Sequence, residues 1–166
     1  ESPTAILTTY VADAAPATSG STPAGVGLRL AQDSGTNCLD FGHQSSYGWI
    51  QATRSDNLSI KTPLVLNPNG GNVGIGVTPS AWDTFDVLQL GGYASISGQS
   101  GTSAGNEAWF ASNAYYASGW KYIITDEASA VEPKNGDILF KTAVSGSADA
   151  SISWIQNMKI DANSRI

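Results

Sequence analysis

Few residues of this chain have the types and spacing that chemistry needs. Gly101-Thr-Ser-Ala-Gly105 has the Gly-x-Ser-x-Gly pattern that presents a serine nucleophile at a strand–turn–helix elbow. Both flanks here are Gly- and Ser-rich, and the only histidine, His43, precedes the serine where that fold has its histidine last. The pattern reads as loop. Cys38 and His43 supply two zinc ligands where four are the rule. One His43 per chain meeting on a three-fold axis is the arrangement that would add more, and a surface or interface His is the simpler reading. Cys38 beside Leu39 reads as a small buried hydrophobe. Asp126, Glu127, Glu132 and Asp137 carry the oxygens that calcium takes, without a calcium loop's ordered spacing; they read as a solvated acidic surface. Gly70–Gly76 is glycine-rich but lacks the Lys-Ser/Thr of a phosphate loop, and Pro79 stands where a dinucleotide fingerprint wants glycine.

Two sets bear on carbohydrate. Glycan cleavage uses two carboxylates about 5–9 Å apart, and Asp83/Asp86 and Asp126/Glu127 are pairs by proximity in sequence. Trp109, Tyr115, Tyr116, Trp120 and Tyr122 could stack on sugar rings while neighbouring Asn and Ser bond the hydroxyls. The same rings could instead fill a core or form cross-strand pairs, the commoner use of aromatic side chains. Trp49 and Trp154, each beside an Ile, read as structural, and Trp82 as the anchor of a short helix.

The elements that must position these residues are strands. Charged residues are 13% of the 166, about half the share of an ordinary soluble domain. The 18 glycines, with abundant Ser, Thr, Ala and Asn, fit a β-rich chain that buries surface against copies of itself. The eight basic residues are scattered singly against a net charge of −6, which argues against nucleic-acid binding. No apolar run is long enough for membrane insertion as a helix. One cysteine allows no internal disulfide, and no cofactor is expected. No leader is legible, and the start at Glu1 without Met reads as part of a longer chain.

Residues 12–25 are low in complexity and follow a first strand near Ala5–Val11. Strands are predicted at 26–30, 38–42, 47–53, 87–90, 93–96, 108–112, 120–125, 137–142 and 151–155, with turns at Asp33-Ser-Gly, Asn135-Gly136 and Ser145-Gly146. Thr78-Pro79 places a capping residue before a proline, which predicts one short helix at 79–84. The fold class is all-β: short antiparallel strands and hairpins in an elongated, intertwined homotrimer. Four segments are expected: an N-terminal strand and linker (1–25), a first β module (26–77), a short helical connector (78–86) and a second β module (87–166).

A half-hairpin occurs twice, as Leu64-Val-Leu-Asn-Pro-Asn-Gly-Gly-Asn-Val-Gly-Ile-Gly-Val77 and as Met158-Lys-Ile-Asp-Ala-Asn-Ser-Arg-Ile166, with 64–66 and 73–77 expected to pair. The first copy resembles the shaft repeat of bacteriophage tail fibres and tailspikes, ahead of their autocleaving C-terminal chaperone. Thr78-Pro-Ser-Ala-Trp82, Leu88-Gln-Leu-Gly91, Ser95-Ile-Ser-Gly98, Asn113-Ala-Tyr-Tyr116, Trp120-Lys-Tyr-Ile123 and Ala150–Asp161 extend the likeness in order, over roughly residues 26–166. Asn163-Ser-Arg-Ile166 departs from the second Gly-Asn-Val-Gly-Ile-Gly of that pattern, and no chaperone follows. The resemblance implies a homotrimeric virion segment that acts outside the cell, contacts other tail proteins and recognises host surface polysaccharide or another receptor. It implies that the glycines let three chains close around an axis. The expected role is non-enzymatic binding. A glycan-degrading tailspike domain, a glycosidase or lyase, is the alternative, and a free-standing monomeric carbohydrate-binding module is a third reading.

Overall fold

The computed structural model describes residues 9, 11–99 and 106–163. The expected first strand at 5–11 and the Gly-x-Ser-x-Gly pattern lie mostly or wholly outside them. The described chain is all-β, with twelve strands: β1 (Val26–Ala31), β2 (Asn37–Gln44), β3 (Tyr47–Arg54), β4 (Val73–Ile75), β5 (Phe85–Leu90), β6 (Ala94–Gln99), β7 (Ala108–Ser112), β8 (Ala114–Tyr116), β9 (Trp120–Tyr122), β10 (Asp126–Lys134), β11 (Asp137–Gly146) and β12 (Ile155–Ile160). The chain divides into two compact units, Glu1–Val65 and Leu66–Ile166.

In the first unit, β1, β2 and β3 form an antiparallel meander. Gln44 pairs with Tyr47 across a two-residue turn in which Ser45 takes a positive φ of 27°, as tight hairpins require. The Asp13 carboxylate accepts both the N–H and the hydroxyl of Ser45. Arg29 and Asp40, opposite each other in the register, make a two-pronged ion pair with both contacts at 2.7 Å. The buried set is small: Cys38, Ala52, Leu58, Asp40 and Thr53.

The second unit is built on a seven-stranded sheet in the order β12-β11-β10-β7-β6-β5-β4. Every neighbouring pair is antiparallel except β4 with β5. The Asn135-Gly136 turn joins β10 to β11 with φ of 53° and 88°, the two positive angles that a two-residue hairpin favours. One sheet face carries Phe85, Val87, Trp109, Ala111 and Ala130 into the core. The hairpin of β8 and β9 and the segments around Trp82 and Trp154 cover that face.

Asn113, at φ 56°, turns the chain out of β7 into β8. Its buried amide donates to the carbonyls of Ile124 (3.2 Å) and Glu127 (2.9 Å) and accepts the Ile124 N–H (2.8 Å). A short polar side chain tolerates this backbone conformation and here satisfies three groups that the turn leaves open.

The structure corrects two expectations. There is no helix at 79–84. Four or five residues close too few i→i−4 bonds to offset nucleation, and the segment is held instead by the side chain of Gln89. Its Oε1 accepts the Ser80 N–H (2.9 Å) and the Trp82 indole N–H (3.1 Å). Residues 64–66 do not pair with 73–77; β4 lies parallel to β5 instead, Val73 opposite Leu88 and Ile75 opposite Leu90. Asn67, at φ 50°, and the Gly70-Gly71 pair, at φ 95° and 108°, turn the chain without a hairpin. Gly74 is a site of close backbone approach, but within its own chain: a Cβ there would collide with the Val77 carbonyl and come within 2.9 Å of the Pro79 ring.

Candidate functional site

The core beneath the sheet is a cluster of aromatic rings around Trp120. Its ring centroid lies 4.2 Å from Trp109, 5.5 Å from Tyr116, 5.6 Å from Phe85 and 6.0 Å from both Trp82 and Trp154. Most of these contacts are edge-on or tilted, the arrangement that ring quadrupoles favour. Strand alternation explains the convergence. Trp109 is an inward position of β7, and the β8–β9 hairpin folds Tyr115 and Trp120 over it.

Four of the five aromatic residues expected to form a sugar site, Trp109, Tyr115, Tyr116 and Trp120, are therefore together, but not equally accessible. Trp109 is 2% exposed, Tyr122 4% and Tyr115 9%. Tyr122 belongs to a neighbouring cluster with Ala128 and Ala143 and donates its hydroxyl to the Val144 carbonyl at 2.6 Å. Tyr115 donates to Asp149 at 2.7 Å, and that bond, with burial second, raises its phenol above the ordinary range. Tyr116 and Trp120 are half-buried and form the rim. Trp154 joins them, also half-buried, and its indole N–H is buried without a hydrogen-bond partner. Its neighbours in sequence mark Trp154 only as a strand residue. The order Trp120, Trp154 along the chain gives no sign that the rings meet.

Polar groups border this rim. The Asp83 carboxylate accepts the Thr84 hydroxyl (2.8 Å) and the Ser118 N–H (2.5 Å). These two bonds, in that order, hold it below the usual carboxylate range. The Asp83 N–H in turn donates to the Tyr116 carbonyl at 3.1 Å.

A second cluster sits beside Trp109. Glu132 is 1% exposed and pairs with Lys141 through Oε2, while Lys134 lies 3.4 Å from its Oε1. Lys134 also pairs with Glu107, which accepts the Trp109 indole N–H at 3.3 Å. The Lys141 ammonium stands 4.6 Å from the centre of the Trp109 ring. The hydrogen bond to Glu107 is the main reason that the Lys134 ammonium is held above its ordinary value.

Glu132 is thus an interior ion-pair residue rather than part of a solvated acidic surface. Asp137 pairs with Lys159 at 2.7 Å. Asp126 and Glu127 are exposed; the Asp126 carboxylate accepts the Glu127 N–H at 3.0 Å, and hydrogen bonding to Glu127 holds Asp126 low. Asp86 is exposed on β5, on the opposite sheet face from Phe85 and Val87. His43 is exposed at the end of β2, and Cys38 is buried with its sulfur 3.6 Å from the Thr53 hydroxyl. Among the described residues, no group of three or more His, Cys, Asp or Glu could hold a metal ion, and no helix is long and apolar enough to cross a membrane.

The β8–β9 hairpin and the Trp82 and Trp154 segments all lie on one face of the seven-stranded sheet. On the other face the register aligns Val73, Leu88, Ile96, Phe110, Val131, Phe140 and Met158 in one row that crosses all seven strands. Ile96 is 42% exposed, Phe110 51% and Met158 37%. A flanking row reads Ile75, Leu90, Ala94, Ser112, Ser129, Thr142 and Ile155. No protein-family model, curated protein or solved structure matches this chain.

Proposed function

We propose that the chain is a segment of a bacteriophage tail fibre or tailspike, homotrimeric in the virion, that attaches to polysaccharide on the host surface without cleaving it. The ordered sequence blocks from Leu64 to Asp161 support the family, and an all-β chain with low charge is consistent with a fibre. The observation that carries the attachment reading is the half-open rim of the aromatic cluster. Tyr116, Trp120 and Trp154 are only half-buried, and the Asp83 carboxylate, held against Ser118, borders Tyr116. Flat apolar faces next to a few fixed polar groups are what sugar rings require.

The test is a glycan array on the purified protein, with Tyr116→Ala as the variant. Tyr116 lies at the rim, so its loss weakens binding about tenfold, the size of one good contact, while the far-UV spectrum is unchanged. Equal binding by the variant removes the rim as the site. Incubating the protein with a bound polysaccharide yields no new reducing ends; their release establishes the glycan-degrading reading instead. Light scattering gives three times the chain mass, and a monomer at micromolar concentration refutes the fibre assembly.

A further inference from the structure

We infer that the uncovered face of the seven-stranded sheet is the surface through which copies of this chain pack on one another, with the row centred on Phe110 and Val131 as its core. The inference rests on the self-assembling reading above and adds to it the surface used.

Three observations support a second copy as the occupant. First, charge is scarce on the face. The central row and the flanking row through Ser112 and Ser129 contain no Asp, Glu, Lys or Arg, although the chain has 22 such residues. Asp86 is the one acidic side chain of β5 on this side, next to the edge strand β4. A charged partner would find nothing to pair with here, whereas a neutral apolar row is complementary to itself. Second, the apolar residues are in register. In the middle of the sheet this ridge runs between small residues, Ala94, Ser112, Ser129 and Thr142 on one side and Gly98 and Ala108 on the other, and can lie against the face of another copy, as sheets do when they stack about 10 Å apart. Third, the size fits. Six inter-strand steps of about 4.8 Å and three rows along the strands give a patch of roughly 30 by 20 Å, or about 600 Å² per chain. Three such faces meeting about one axis bury about 1,800 Å² in all, within the range of stable interfaces. Exposed large apolar side chains gathered in one patch of this extent are uncommon on a monomer.

The experiment uses the whole chain at about 10 µM. Phe110→Lys changes a side chain that is half-exposed in the single chain, so the chain's own core is untouched. The expected result is a fall in light-scattering mass from oligomer to monomer, with an unchanged near-ultraviolet aromatic spectrum. Ser129→Cys provides an independent reading, since Ser129 is exposed in the single chain. Maleimide labelling of the introduced thiol, followed by peptide mass to separate it from Cys38, is expected to be at least tenfold slower in the native protein than in denaturant. If the Ser129→Cys protein is oligomeric and its introduced thiol labels at the denatured rate, this inference is overturned and the assembly reading stands. A monomeric wild type overturns both. If Phe110→Lys fails to fold, or disagrees with the labelling, the labelling decides.

Discussion

At the scale of single residues, the second unit is held by polar side chains that have no spare capacity. Asn113 satisfies three backbone groups at the exit of β7. Asn113→Asp removes both amide donors and sets a carboxylate against two carbonyls. The expected loss is about 2–4 kcal/mol, read as a lower urea midpoint. Glu132 is another such residue. Lys141→Met alone strands part of a buried charge and costs about 3–5 kcal/mol, whereas the double variant Glu132→Leu/Lys141→Met is close to neutral; a double-mutant cycle in urea tests this. Two hydrogen-bonded groups of the second unit make its stability depend on pH. Asp83 is held low by Thr84 and Ser118, so the stability it contributes is present above the ordinary Asp value near 4 and is lost as pH falls through its depressed one. Tyr115 is raised by Asp149, then by burial. Its contribution is complete below the ordinary Tyr value near 10 and is lost as pH rises through the raised one. Tyr115→Phe therefore flattens the alkaline limb of a melting-temperature profile, and Asp83→Asn the acid limb.

At the scale of elements, strands with alternating large residues were legible. Val26–Leu30, Cys38–Gly42, Val87–Leu90 and Ala108–Ser112 all fall within observed strands, and Asn135-Gly136 is a turn as its residues predict. β10 was not legible, though it lies between β7 and β11 in the sheet. Its sequence, Asp-Glu-Ala-Ser-Ala-Val-Glu-Pro-Lys, alternates small residues with polar ones and carries a proline near its end. Small residues suffice there because Trp109 and Trp154, from elsewhere in the chain, pack against the clusters that hold Ala130 and Ala128. Local pattern reports what a residue is, not what bulk faces it. The segment at 79–84 failed for a related reason: its capping signals are real, but Gln89, a side chain from the next strand, overrides them. Gln89→Leu keeps the volume and strands the Ser80 and Trp82 donors, a cost of about 2–4 kcal/mol seen as a fall in melting temperature. Conversely, the Ser97 hydroxyl is buried on β6 without a partner, and Ser97→Ala raises stability by about 1 kcal/mol.

At the scale of the molecule, the all-β class followed from low charge, glycine and short alternating runs. Of the sugar-site set, proximity was legible and accessibility was not. A list of aromatic residues does not say which ring becomes the centre and which the rim. Depth is set by the β8–β9 hairpin, which Asn113 turns out of β7. Four of the five tryptophans meet in the cluster around Trp120, while Trp49 alone lies in the first unit, its indole N–H donating to the Ala14 carbonyl at 3.3 Å. The molecule therefore carries two separate optical reporters. Indoles a few ångströms apart exchange excitation and couple as transition dipoles, so the second unit contributes a strong near-ultraviolet dichroism band and quenched, depolarised emission. Trp49→Phe leaves that signature whole and makes it a private reading of the second unit's unfolding, and the difference from the wild-type signal isolates the first unit's.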